Sequence, residues 1–194
     1  MPLRWKIPVL SHAVYSVWKL DAARKLAMIE DWIASGERLL EVGSGPGSVI
    51  DVFREAGHNV TGLDIADNAF SPDLVPVVYD GARMPFSDRA FDTALILTTL
   101  HHTPDPDHII RESARIARRV IIIEDVFETR LQERYTKLTD KLTNFEFFGH
   151  PHTNRSDQGW RESFERMGLE LMHAKVHRLL KLYQQAVYVV EPRA

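Results

Sequence analysis

The stretch Leu39-Leu40-Glu41-Val42-Gly43-Ser44-Gly45-Pro46-Gly47 runs an apolar segment straight into three alternating glycines. Arg38–Val42 reads as a short strand. Ser48–Ala56 then places Val49, Val52, Phe53 and Ala56 at helical spacing, and Gly57 ends it. A strand that enters a glycine turn and leaves as a helix sets up an α/β unit. Glycine permits the tight turn and lets a ligand approach the backbone, and the helix start offers free N–H groups. The spacing is G-x-G-x-G, with Ser48 where a dinucleotide fingerprint carries its third glycine. No G-K-[ST] follows, so a phosphate cradle of the P-loop kind is not indicated.

The alternation continues downstream. Asn59–Asp64, Val75–Tyr79, Asp92–Thr98 and Val120–Glu124 read as strands, and Asp107–Arg118 as a helix through Ile109, Ile110, Ala114 and Ala117. Upstream, Asp21 can cap a helix to Ser35 with Ala22, Leu26, Ile29 and Ile33 on one stripe and Gly36 as its stop. Ser11–Lys19, with Tyr15 and Trp18, is aromatic but weakly periodic. Apolar strands alternating with helices predict a parallel sheet covered on both faces. The last third changes character: a charged helix over Glu128–Leu142 and a second over Ser156–Met167, capped by Ser156 and stopped by Gly168. Leu169–His177 and Gln185–Glu191 then read as a hairpin, which would leave one antiparallel edge strand.

A length of 194 residues without linker, repeat or low-complexity tract predicts a single domain over 1–194. No cysteine is present, which excludes disulfides, thiolate metal sites and a cysteine nucleophile. The net charge of -3 gives no global footprint for nucleic acid or an anionic membrane. Met1–Val9 has no apolar h-region, and no run approaches the ~20 apolar residues of a spanning helix. A cytoplasmic protein with no membrane partner is the expectation.

Two carboxylates stand in register with the glycine turn. Asp64 ends the second strand, 19 residues after Gly45, where an acidic side chain can accept both hydroxyls of a ribose. Asp80 follows the third strand, where a carboxylate could accept from an exocyclic amine. Each could equally be a cap or turn residue. From Leu39 to Asp125 the chain resembles class I S-adenosylmethionine-dependent methyltransferases of the type 11 family. LLEVGSGPG is similar to motif I of that family and VTGLDIA to its ribose-binding strand end. DGARMPFSDRAFD is similar to its adenine-side loop, and LILTTLHHTPDP with VIIIED to its fourth and fifth strands. The usual Pro-Gly-Gly before strand five is absent; Arg118-Arg119 run directly into Val120.

The resemblance implies a Rossmann-like seven-stranded, mostly parallel sheet with helices on both faces, an antiparallel last strand and a helical cap segment over 1–35. It implies S-adenosylmethionine as cofactor and S-adenosylhomocysteine as product. Glu41 and the backbone at Gly43 and Gly45 would hold the methionine end, with Ser44 and Gly47 also among the cofactor-binding residues. Asp64 would bind the ribose, with Ile65 on the adenine, Asp80 and Gly81 on the adenine edge, and a Thr98 carbonyl on the amino group.

Methyl transfer from a sulfonium is an in-line displacement, so the protein positions the nucleophile and removes a proton where one must leave. His101 and His102 follow strand four at the sheet's C-terminal edge, and histidines titrate near neutrality. His102 and His152 are the candidate bases; His102 could instead be structural. Residues 144–160 form a candidate substrate-side insertion, in which Phe147, Phe148, His152 and Arg155 could line a pocket and Arg155 clamp an anion. The same stretch also reads as a surface loop, and His150 with His152 lacks further ligands at metal spacing, so no metal is expected. Strand four lacks Asn-Pro-Pro-Tyr, which weighs against amide or adenine-nitrogen methylation of that type. The basic clusters Arg111/Arg115/Arg118/Arg119 and Lys175/His177/Arg178/Lys181 have acidic neighbours, as solvated faces do. The expected acceptor is therefore a small molecule rather than nucleic acid, and the expected assembly a monomer or homodimer. An RNA or protein methyltransferase with a partner subunit, and a catalytically silent cofactor-binding module, stay open as alternatives.

Overall fold

A computed structural model describes residues 8–127, 153–180 and 183–193. Seven strands lie in one sheet: β1 (Arg38–Val42), β2 (Asn59–Asp64), β3 (Val77–Val78), β4 (Phe91–Leu97), β5 (Ala117–Val126), β6 (Leu169–Leu180) and β7 (Tyr183–Pro192). Their order is β3-β2-β1-β4-β5-β7-β6. β2 and β4 pair parallel with β1, and β3 parallel with β2, while β7 is antiparallel to both β5 and β6. The last strand is thus antiparallel, as expected, but it is not the edge: β7 threads between β5 and β6 and leaves β6 outermost.

The chain divides into two compact units. The first comprises Met1–Leu95 with Ile116–Arg118. Its core is built on Leu39, Leu40, Ile50, Phe53, Leu63, Met84 and Leu95, all fully buried. Helix α1 spans Pro8–Ile29, longer at its start than the expected Asp21–Ser35, and ends earlier in a 3-10 turn at Glu30–Trp32. Its buried positions Ser11, Tyr15, Ala22, Lys25 and Ile29 follow helical spacing. Ser11 and Lys25 interrupt the apolar pattern in the sequence, which is why the stripe through Tyr15 reads there as weak. Helix α2 (Ser48–Glu55) follows the glycine turn. β3 is only two residues long because a 3-10 turn occupies Pro72–Leu74 and Pro76 has no N–H for a ladder.

The second unit comprises Ile96–Arg115 and Arg119–Ala194. Helix α3 (Pro106–Ile116) starts with proline in its first turn, and Asp105 accepts from the His108 N–H at 3.0 Å. It passes into β5 without a loop, so Arg118, expected in the helix, lies in the strand. This is the structural form of the missing Pro-Gly-Gly. Val120–Ile123 is buried at every position, as a strand covered on both faces requires. Helix α4 (Asp157–Arg166) is capped by Ser156, whose side chain accepts from the Gly159 N–H. Trp160, Phe164 and Tyr188 are fully buried, and the Phe164 and Tyr188 rings meet edge-on at 5.2 Å. The charged helix expected over Glu128–Leu142 and the part of the insertion before Thr153 lie outside the described residues. Among those described, no helix is long and apolar enough to cross a membrane.

Candidate functional site

In the first unit the glycine turn is tied to β2 through its backbone. The Gly43 and Ser44 N–H groups both donate to Leu63 O, at 2.8 and 3.2 Å. Asp64 completes the join: Oδ2 accepts from the Gly45 N–H at 2.7 Å and Oδ1 from the Ala66 N–H at 3.2 Å. Both oxygens are therefore engaged locally, and Asp64 shapes the turn. Gly45 and Gly47 occupy the left-handed region, at φ 51 and 84. A Cβ on Gly45 would meet no atom within 4 Å, whereas one on Gly47 would lie 2.7 Å from Leu74 Cβ. One glycine faces open space and the other fits a tight packing.

The remaining expected residues of this unit gather on the same strand ends. Ile65 is 67% exposed, an unusual place for an isoleucine, and its Cγ2 lies 3.5 Å from where a Gly81 Cβ would be. Asp80 Oδ1 accepts from the Ala82 N–H at 2.9 Å and holds the loop after β3. Ser44 is buried, and its Oγ has no hydrogen-bond partner among the described residues.

Glu41 is the most informative of the set. It is only 4% exposed, and its Oε2 has no hydrogen-bond partner among the described residues. Burial pushes its carboxyl well above the usual range. Lys25 opposes that shift, the Asp64 charge adds to it, and a hydrogen bond from the Ile50 backbone opposes it. Lys25, on α1, is itself buried and pairs with Asp21 at 2.8 Å. The same helix reaches the turn's surroundings through Tyr15, whose hydroxyl donates to Asp51 at 3.0 Å and whose ring stacks on Phe70 at 4.0 Å. Phe70 in turn donates its N–H to Pro46 O. The sequence reading missed Lys25 and Tyr15; a lysine on the buried face of an amphipathic helix was the available signal.

In the second unit, Thr98 has φ 59, a conformation that a β-branched side chain adopts only under constraint. Its N–H donates to Ile123 O at 2.7 Å. The 3-10 turn Leu100–His102 follows. Glu124, fully buried on β5, accepts from the Leu100 N–H at 2.6 Å through Oε1 and meets His101 Nδ1 at 2.7 Å through Oε2. His101 is 2% exposed. His102 is partly exposed, with its ring 4.1 Å from that of His101. Thr153 Oγ1 donates to Leu100 O at 3.0 Å, which ties the start of the last helical segment to this turn. Glu124 was missed as a partner, although a carboxylate inside an apolar strand was a visible anomaly. His152 lies outside the described residues.

Arg155 is not poised as an anion clamp. It donates to Asp107 and to Ser163 Oγ, and its guanidinium lies over the Trp160 ring at 4.8 Å. Three arginines of the first basic cluster are paired as well: Arg115 with Glu112, Arg118 with Asp92 and Arg119 with Glu191. Among the described residues no group of three His, Asp or Glu could hold a metal ion.

With this geometry in place, likeness to known proteins becomes informative. Residues 40–120, which contain the glycine turn, Asp64, Asp80 and the turn after β4, match the family model described as a methyltransferase domain, type 11. This stretch is similar to methyltransferase domains over somewhat less than half of the chain. The chain is 36% identical over 101 residues to the 27-O-demethylrifamycin SV methyltransferase of Amycolatopsis mediterranei, covering 44% of this chain and 36% of that protein. It is 30% identical over 95 residues to the ubiquinone biosynthesis O-methyltransferase of Paracidovorax citrulli, covering 43% and 40%. The chain thus spans less than half the length of these curated relatives. A solved SAM-dependent methyltransferase from Methanosarcina mazei superposes with a TM-score of 0.68 at 18% identity, over 85% of this chain and 96% of that one. That likeness concerns the fold alone.

Proposed function

We propose that the chain binds S-adenosylmethionine and transfers its methyl group to a small-molecule oxygen, nitrogen or carbon nucleophile. The observation that carries this reading is the cradle on the ends of β1 and β2. There the glycine turn is locked by Asp64, Gly45 faces open space, and the buried Glu41 keeps an oxygen without a partner. These residues fit such a cofactor. Glu41 offers an acidic acceptor for a cationic group, Asp64 a carboxylate for ribose hydroxyls, and exposed Ile65 an apolar surface for a base. Asp80 and the Gly81 backbone stand beside Ile65 as the polar edge.

When bound, S-adenosylmethionine supplies a methyl group already activated on sulfur. The chain's own work is then to orient, to exclude water and to take a proton from the acceptor. His102, on the turn after β4, is the side chain we assign to the last task, while His101 is bound to Glu124. The names of the two relatives, both O-methyltransferases of small molecules, support that acceptor class. No observation in the structure favours the partner-dependent or silent-module alternatives.

Calorimetry and thermal shift with S-adenosylmethionine, S-adenosylhomocysteine and NAD test the cofactor. Stabilisation by the two sulfur nucleosides is expected; stabilisation by NAD alone refutes the reading. Mass spectrometry of methylated products from a panel of phenols, quinols and amines then tests transfer itself.

A further inference from the structure

Gln184, near the start of β7, is 3% exposed, and its Oε1 has no hydrogen-bond partner among the described residues. Its neighbour Gln185 differs: on the opposite face of the strand, Nε2 donates to Asp125 Oδ1 at 2.8 Å. An amide oxygen enclosed without a donor is costly, and a folded chain keeps one where a ligand or a trapped water completes it. Val126, the last residue of β5, pairs with Gln184, and Gln184 pairs with Arg178 on β6. Cross-strand partners project from one face of a sheet, so the three side chains form a row. Arg178 is exposed, and among the described residues its guanidinium joins no ion pair. The adjacent row on the same face is Glu124, Ala186 and Val176. Glu124 bonds His101, whose ring lies 4.1 Å from that of His102.

The row lies at the carboxyl end of β5, the edge at which open α/β sheets bind their ligands. It offers an acceptor on the middle strand and a cation on the outer one. The Gln184 oxygen calls for an O–H or N–H, and the Arg178 fork for a carboxylate. Neighbouring strands lie about 4.8 Å apart, which spaces the two groups and sets their order. The donor end of a ligand lies toward β5 and the histidines, and its acid end toward β6, away from the Glu124 carboxylate. We infer that Gln184 and Arg178 recognise the methyl acceptor, and that the acceptor is a hydroxylated carboxylic acid, with a hydroxyl on Gln184 and the carboxylate on Arg178. The inference rests on the methyltransferase reading and narrows its small-molecule acceptor to one class. A compound without the acid forfeits Arg178, and one without the hydroxyl leaves the Gln184 oxygen as it was.

The experiment is calorimetric titration of the chain, saturated with S-adenosylhomocysteine, using 3,4-dihydroxybenzoate, catechol and benzoate as probes. The dihydroxy acid should bind at least about tenfold more tightly than either fragment. Arg178→Met should bring its affinity down to that of catechol and leave catechol binding unchanged. Gln184→Leu should weaken the dihydroxy acid about tenfold while raising the urea midpoint of the free chain, because an apolar side chain of similar size removes the orphaned oxygen. An amide with a purely structural role gives the reverse, a lower midpoint and unchanged binding. Equal affinity of the wild type for the acid and for catechol overturns the proposal, as does no binding of the acid. Unchanged affinity in either variant, or a fall in the Gln184→Leu midpoint, overturns it too. Failure of S-adenosylhomocysteine to bind is a different result: it overturns the methyltransferase reading and removes the acceptor assignment with it.

Discussion

Alanine at Gly47 and alanine at Gly45 are the same substitution two residues apart, and the structure gives them different consequences. Gly47 precedes α2 in the left-handed region, at φ 84, and an added Cβ would lie 2.7 Å from Leu74 Cβ. Leu74 is buried in the turn Pro72–Leu74, and its Cβ moves only with its backbone. The left-handed conformation costs an alanine about 1–2 kcal/mol. Relieving the clash costs about 1–3 kcal/mol more. A total near 2–5 kcal/mol corresponds to a fall in Tm of roughly 4–20 °C for a chain of this size. At Gly45, φ is 51 but no atom lies within 4 Å, so only the conformational cost of about 1–2 kcal/mol applies. That open side is where the proposed cofactor approaches. Urea denaturation should therefore rank Gly47→Ala well below Gly45→Ala in stability. Titration with S-adenosylhomocysteine should show at least about a tenfold loss for Gly45→Ala, equivalent to 1.4 kcal/mol. Equal stability of the two variants would refute the steric argument. Wild-type affinity in Gly45→Ala would refute the placement of the ligand.

Three further predictions concern the groups around the strand ends. Glu124→Ala removes the acceptor for both the Leu100 N–H and His101 Nδ1 in a fully buried place, and should cost about 3–5 kcal/mol in urea denaturation. Asp64→Asn puts a donor where two N–H groups need acceptors; the turn should lose about 1–3 kcal/mol, and S-adenosylhomocysteine affinity should fall more than tenfold. Asp92 is held below its ordinary 3.8 by hydrogen bonds from the Arg38 backbone and then its guanidinium, with the Arg38 and Arg118 charges adding to the effect. Its contribution to stability is thus full above the unfolded value and lost as pH falls through the folded one. The gap between wild type and Asp92→Asn in urea midpoint should stay constant from pH 7 to about 5 and close below about 3.8.

The strands around the site were legible because their signals are local. β1 and β2 occur where Arg38–Val42 and Asn59–Asp64 place their apolar residues, and Ser156 caps the helix it precedes. α1 was half legible: its stripe includes Ser11 and Lys25, and polar residues on a buried face erase the periodicity on which such a reading depends. The paired histidines show the same limit. His101 and His102 are adjacent in sequence, yet it is His101 that bonds Glu124, a residue 23 positions away. Arg155, expected as an anion clamp, is held by Asp107, Ser163 and Trp160.

What the sequence by itself determined is the α/β alternation, the glycine turn after β1, and the residue types that stand at the strand ends. These depend on neighbours within a few positions, where apolar spacing, glycine and capping act directly. Tertiary structure alone decided which glycine is open and which is filled, that Asp64 braces the turn it faces, and that β7 lies inside the sheet rather than at its edge. It also decided that Glu41 is enclosed with an unpaired oxygen beside Lys25. The reason is physical: the charge state and partners of a buried group are set by whatever the fold brings within a few ångströms. For Glu41 those groups come from residues as far apart as Lys25 and Asp64.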